Sequence, residues 1–330
     1  MKKHLTRFAK IAISALLLGL IISRMNAENV LQTLRAVDLR FALAALAVSH
    51  LDRILQAGKW WLLLRQSGQQ LPLRIAIANT YVGNFAGLFL PASVGGDFVR
   101  VFLLKAFPIQ MSEVVASIVV ERVFGVLALV FTAAGALLLA DTAGVQVPEP
   151  VRWLVLPVFG GLLVAIAASF RLRSGIPAFV LRLGERFHLQ RRLESLTGSY
   201  RRYGKRKIAI LTYFALSVLE VLTVTVIFLL FARAVGIPLP PAAAVVMVPV
   251  TLFVQRLPIS VGGLGVSEGT LTWFLVSFGF DLDRAVALAL LSRANELLTL
   301  LPGAVGWLAM RRRGAAEAAS GPPKSLPGNH

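Results

Sequence analysis

The sequence predicts an all-α polytopic membrane protein built as an inverted-topology repeat, with six full spanning helices plus two re-entrant helical hairpins. Three observations predict it. Hydrophobic residues make up 57% of the 330 positions and charged residues 15%, with mean hydropathy +0.75, too apolar a mixture for a soluble domain. A ten-residue phrase is spelled twice, LPASVGGDFV at 90–99 and LPISVGGLGV at 257–266, with seven positions identical at an offset of 167. Basic residues also gather in alternate connections, as orientation by the positive-inside rule requires.

The same composition narrows function. A net charge of +18 would suggest nucleic acid in a soluble chain, but in a membrane chain Lys and Arg accumulate in cytoplasmic loops and beside anionic headgroups. No nucleic-acid partner is therefore expected. Absence of Cys removes disulfides, thiolate metal sites and Cys nucleophiles. The four His form no i,i+3 or i,i+4 pair, so neither a metal nor a cofactor is expected.

Spans need about 20 mostly apolar residues, and six stretches qualify: roughly 6–23, 41–64, 114–140, 152–170, 208–232 and 285–309. The first follows a basic run with Lys2, Lys3, Arg7 and Lys10 in the layout of a signal sequence. Met25-Asn26-Ala27 is a poor small-x-small cleavage site, so a retained signal anchor is the reading. Those lysines hold the N-terminus inside. Arg65, Arg74, the 171–207 segment with eleven Lys/Arg against two Glu, and Arg311-Arg312-Arg313 then all fall inside. The outside connections, 141–150 and 233–240, hold one basic residue between them. Both termini are thus cytoplasmic.

Two apolar stretches, 75–105 and 241–280, are broken in the middle by the repeated Pro and Gly-Gly. Non-helical backbone at membrane depth survives only where protein or a water-filled cavity satisfies it. Both read as re-entrant hairpins tipped by the quoted phrases, the first dipping from the cytoplasm and the second from outside. The chain divides accordingly into a first repeat at 1–140, a second, inverted repeat at 141–309 and a disordered cytoplasmic tail at 310–330. Within the second repeat, 171–207 reads as an amphipathic helix on the anionic cytoplasmic leaflet, with a plain solvated basic loop as the alternative. Inverted repeats with interrupted helices meeting near the midplane are a construction plan of transporters.

The phrases LPASVGGDFVRVFLL and RLPISVGGLGVSEGTLTWFL, with Arg293 and the late Leu301-Pro302-Gly303, resemble the lysylphosphatidylglycerol synthase transmembrane family over nearly the whole chain to about residue 310. The resemblance implies a bacterial inner-membrane protein that handles lipids, moving an aminoacylated phospholipid between leaflets in the family's flippase domains. The last twenty residues cannot form the soluble aminoacyl-transferase domain of such synthases, so aminoacylation is not carried over.

Candidate residues follow from the breaks and from the charges. Gly95, Gly96, Gly262 and Gly263 interrupt the chain, and Asp97 and Ser267 stand where the following half-helices would be N-capped. Free N–H groups and a positive dipole end there suit a lipid phosphate, although glycines at close helix contacts are the alternative. GxGxxG is absent, because Glu268 follows Gly263 and Gly265 where the third glycine would stand. Intramembrane charges cost roughly 2.5–3.5 kcal/mol each on insertion scales, which makes them functional candidates. They are Arg53, Glu121, Arg122, Glu220, Arg256, Glu268, Arg293 and Glu296, with Asp97 and Arg100 on the first hairpin. Arg122 and Arg293, eight residues into the helices after the two hairpins, are the expected phosphate forks. Arg293 and Glu296 also suit a structural i,i+3 bridge. Glu220 is expected to pair with Arg53 or receive a cationic headgroup, while Asp52, Arg53 and Lys59 suit an interfacial, snorkelling position as well.

No Ser-His-Asp set, HExxH or P-loop assembles a hydrolytic site, so ATP is not a direct energy source and no catalytic residue is expected. The leading reading is a translocator of an anionic phospholipid or lipid-linked phosphate. Its rivals are a membrane transferase using Asp281-Leu-Asp283 as a metal motif on a lipid-linked sugar, and a non-catalytic partner of a lipid-modifying enzyme. A homo-oligomer is compatible with each.

Overall fold

The computed structural model describes residues 2–90, 95–140, 142, 144–153, 155–157, 160–161, 207–256, 260 and 263–309. The described chain is helical, with α1 (Lys2–Arg24), α2 (Ala27–Arg35), α3 (Leu39–Gln66), α4 (Leu73–Phe89), α5 (Gly95–Leu103), α6 (Met111–Ala140), α7 (Lys207–Ala234), α8 (Pro241–Arg256), α9 (Val266–Ser277) and α10 (Leu282–Thr299). After a turn at Leu300, helix continues over 301–309. No strand occurs among the described residues.

Length and composition make three of these helices able to cross a membrane: α6, α7 from Ile208, and α10 with its continuation to Ala309. Each matches an expected span. α3 has the length, 28 residues or about 42 Å, but carries Asp52, Arg53 and Lys59 in its middle. In α1 the apolar stretch is Ala12–Arg24. Most of the expected span at 152–170, the basic 171–207 segment up to residue 206, and the 310–330 tail lie outside the described residues.

The helix ends are fixed by short polar residues. Asn26 Oδ1 accepts the Glu28 and Asn29 amides to start α2, Asp38 accepts the Arg40 amide to start α3, and Asp281 accepts the Arg284 amide to start α10. α2 is an element the hydropathy reading missed. Asp283 holds it down, accepting from the Asn26 amide at 2.8 Å and from Asn29 Nδ2 at 2.9 Å. Asp281 and Asp283, the offered metal motif, are thus both engaged in capping and docking.

The broken regions each form two short helices lying side by side. α4 and α5 have 17 and 9 residues, about 26 and 14 Å, and α8 and α9 have 16 and 12, about 24 and 18 Å. None covers the roughly 30 Å of a hydrocarbon core. The first pair packs at backbone contact, because a Cβ on Gly96 would collide with Gly83 O and one on Gly83 with the Arg100 side chain. In the second, Gly263 and Gly265 have φ of +77° and +79°, a turn only glycine makes without strain. The sequence reading set Asp97 and Ser267 at the N-caps of the two following helices, and neither residue holds that position. α5 already starts at Gly95, so Asp97 is its third residue. Gly265 caps α9, and Glu268 accepts its amide at 2.8 Å.

α3 and α7 form the spine and run antiparallel. The Asp38 amide donates to Ala234 O at one end, Lys59 Nζ meets Ser217 Oγ at 3.3 Å farther along, and Leu63 packs in one cluster with Tyr213. The main core, with Phe231, Met247, Phe274 and Leu288 fully buried, joins α6, α7, α8, α9 and α10. At the other flank Gly303 presses on the Tyr81 backbone of α4.

Element bounds repeat along the chain. Shifted by 167, α3 would run 206–233 and α4 240–256, against the observed Lys207–Ala234 and Pro241–Arg256. Beyond the glycine phrases the shift becomes 171, since α5 and α6 begin at 95 and 111, and α9 and α10 at 266 and 282. Matching positions beyond the second phrase therefore lie four residues farther along the chain.

Candidate functional site

The repeat places two arginine–carboxylate pairs in equivalent positions. Arg122 is the twelfth residue of α6 and Arg293 the twelfth of α10; Asp97 is the third of α5 and Glu268 the third of α9. Arg122 Nε donates to Asp97 Oδ2 at 2.9 Å and its Nη2 reaches the same oxygen at 2.5 Å. Arg293 Nε donates to Glu268 Oε1 at 2.7 Å. Each pair spans 25 residues. The sequence reading had matched the two arginines but not their acids, because the glycine phrases align at 167 and set Leu264 opposite Asp97.

Around the first pair, Arg100 is buried. Its Nη1 donates to Glu121 Oε2 at 2.9 Å and lies 3.5 Å from Asp97 Oδ1, and its guanidinium carbon sits 4.1 Å above the Trp60 ring. Asn79 Nδ2 fixes the backbone below it by donating to Arg100 O. Arg122 is the accessible member, with 43% of its side chain exposed. Gly95 and Gly96 provide the close approach that brings α5 onto α4.

Around the second pair, every nitrogen of the Arg293 guanidinium is used. Nη1 donates to Glu296 Oε2 at 2.6 Å and Nη2 to Ser267 Oγ at 2.9 Å. Ser267 Oγ in turn lies 2.9 Å from Glu268 Oε2 and 3.1 Å from Gly263 O. The expected Arg293–Glu296 bridge is present, as one arm of a larger network. Gly262 lies outside the described residues.

This network forms one wall of a cavity of about 120 Å³ between α3, α7, α8, α9 and α10. Its polar wall includes Asp52, Arg53, Gln255, Glu268, Arg293 and Glu296, and its other wall is apolar, with Val224, Ile227, Phe228 and Phe231. Three carboxylates face two guanidiniums. Asn295 Nδ2 donates to Ser49 Oγ at 2.8 Å across this space and ties α10 to α3.

The remaining charges lie elsewhere than expected. Glu220 pairs with Lys59, not Arg53. Lys59 is only 2% exposed, so it is a buried partner at the α3–α7 contact and does not snorkel to an interface. Both face inward because antiparallel packing sets one turn of each helix against the other. Arg53 Nη1 reaches Gln56 Oε1 at 3.3 Å, with Asn84 holding the same oxygen. Arg256 ends α8 and lays its guanidinium against Gly125 of α6. Trp60, Asn295 and Ser49 escaped the sequence reading, which had named Lys59 but only as an interfacial residue. Among the described residues no group of three or more His, Cys, Asp or Glu is placed to hold a metal.

No curated protein matches the chain in a sequence search. The description of one family does match, over residues 7–303, most of the chain and all of both arginine pairs. Long apolar helices, two interrupted helix pairs and this match agree in identifying a membrane protein of a lipid-related family, and the chain belongs to that of the lysylphosphatidylglycerol synthase TM region.

Proposed function

We propose that the chain translocates a lipid headgroup between the leaflets of a bacterial inner membrane, with its hairpins α4–α5 and α8–α9 re-entering from opposite sides. The observation that carries this reading is the pair of equivalent latches, Arg122 on Asp97 and Arg293 on Glu268. Each joins the first turn of a short broken helix to the long helix that follows. Antiparallel packing of α3 on α7, which correspond in the repeat, supports a relation that inverts the membrane normal.

In this reading the carboxylate holds each arginine while no lipid is bound, since an unpaired guanidinium in hydrocarbon is costly. An arriving phosphate takes over the bidentate fork, the released carboxylate loosens its short helix, and the cavity opens toward one side. The headgroup crosses by way of the polar wall while the tails stay in lipid. A transferase reading is less favoured because Asp281 and Asp283 are spent on helix ends.

Reconstituted protein should move a fluorescent anionic phospholipid across liposome leaflets. Arg122→Ala and Arg293→Ala should each slow it about ten- to a hundredfold, the worth of a charged hydrogen bond of about 1.5–3 kcal/mol. Equal rates in empty, wild-type and variant vesicles would remove the proposal. The chain has no Cys, so single Leu90→Cys and Leu264→Cys variants report the side from which each break is reached. Opposite compartments are expected, and labelling from one side alone would exclude the inverted arrangement.

A further inference from the structure

The cavity contains an acid that the lipid mechanism above does not use. Asp52, in the middle of α3, is 2% exposed, and its Oδ1 has no hydrogen-bond partner. Its Oδ2 reaches only Arg53 Nη2, at 3.9 Å, the outer limit of an ion pair, while Arg53 Nη1 is given to Gln56. The other two cavity acids differ sharply: Glu268 accepts from Arg293, Ser267 and the Gly265 amide, and Glu296 accepts from Arg293.

An ionised carboxylate buried without donors is among the most unfavourable groups a protein can hold, and it is relieved by taking a proton or a cation. The charges facing Asp52 do not supply the relief. On α3, Arg53 is the near cation and Lys59 is spent on Glu220. On α4, Tyr81 is bonded to His50. On α7 stands Glu220, and on α9 and α10 Arg293 is consumed by Glu268 and Glu296. A second orphan, Asn295 Oδ1, belongs to the same cavity. The orphaned donor on the same cavity, Arg53 Nε, makes no hydrogen bond to either acceptor, and one proton added to Asp52 turns one of the two acceptors into a donor.

We propose that Asp52 is a proton-binding site: it carries a proton in this conformation and releases it when the cavity opens, coupling headgroup movement to a proton gradient. The coupling half rests on the translocator reading; proton occupancy does not. The balance is one O–H bond formed on Asp52 from water on one side and broken to water on the other, with no redox step. Intramembrane acids serve proton relays in this way.

Infrared spectroscopy of the purified full chain at neutral pH tests occupancy directly. A protonated-carboxyl C=O band is expected, shifted in deuterated water, lost in Asp52→Asn and kept in Glu220→Gln. A band identical in wild type and Asp52→Asn, or no band in either, would overturn the proposal. A band that emerges only after sodium is removed would overturn it too, in favour of an alkali cation. In vesicles, an imposed pH gradient should bias the leaflet distribution of the labelled lipid by about tenfold per unit for one proton per lipid, and a protonophore should abolish the bias. Lipid that moves at equal rates with and without the gradient overturns coupling. Vesicles in which no lipid moves remove the translocator reading and leave the carboxyl band to decide proton occupancy.

Discussion

Replacing Arg293 with Ala tests the latch energetics, because the two latches differ in burial. Arg293 loses three hydrogen bonds of 2.6–2.9 Å, and its side chain and that of Glu268 are 15% and 9% exposed. Removing one partner of a buried pair costs about 3–5 kcal/mol, most of it the stranded charge. Glu268 keeps the Gly265 amide and the Ser267 hydroxyl, which puts the expected loss near the low end, about 3 kcal/mol. Arg122 has a side chain 43% exposed and Asp97 keeps Arg100 Nη1 at 3.5 Å, so Arg122→Ala should cost clearly less than Arg293→Ala. Reversible unfolding in mixed micelles, followed by far-ultraviolet circular dichroism, measures both. Adding Glu268→Gln to Arg293→Ala should restore part of the loss by removing the stranded charge. Equal losses for the two arginines, or no recovery in the double variant, would refute the reasoning.

Three further outcomes follow from contacts. Lys59→Met strands Glu220 in the α3–α7 contact and should cost about 3–5 kcal/mol, whereas Lys59→Met with Glu220→Leu should recover most of it, because apolar pairs replace buried ion pairs well; the same unfolding assay checks both. Gly303→Ala puts a methyl 2.8 Å from Phe85 Cβ and closer still to the Tyr81 backbone, an overpacking cost of about 1–3 kcal/mol, while Gly135→Ala, with nothing within 4 Å, should gain about 0.4–1 kcal/mol. Asp283→Ala removes two bonds that hold α2, about 2 kcal/mol in all, and should appear as faster hydrogen exchange at Glu28, Asn29 and Val30 with little change at α6.

Sequence revealed what is local or periodic. Apolar runs marked α6, α7 and α10, and the duplicated glycine phrases marked where helices stop, since both depend on residues close in the chain. What it hid depends on contacts across the fold. α2 is nine residues long and is held by Asp283, more than 250 residues away in sequence. Lys59 and Glu220 meet only because α3 and α7 lie antiparallel, and no spacing along either helix reveals that. The lesson of the latches is narrower. Aligning the glycines pairs Asp97 with Leu264, whereas aligning the helices pairs it with Glu268, because four added residues lie before α9.

That four-residue difference separates what the duplication keeps from what it lets change. The glycine phrase sets where a helix breaks, and it tolerates a longer turn. The acid and the arginine are kept relative to helix starts, at the third and twelfth residues, because side-chain reach across two packed helices depends on axial rise, about 1.5 Å per residue. A shift of one residue would turn either side chain by about 100° around its helix and part the pair. The two halves nevertheless differ around that shared geometry. One latch is open to its surroundings, with Arg122 exposed, and the other is closed over by Ser267 and Glu296. The translocator proposed above would need its two ends unequal at any one moment, and this inequality is the static signature that proposal expects. A conformation with Arg293 exposed and Arg122 buried is the required counterpart. Crosslinking a Leu90→Cys, Leu264→Cys variant to fixed-length reagents, with and without lipid, would find two distance populations if it exists and one if it does not.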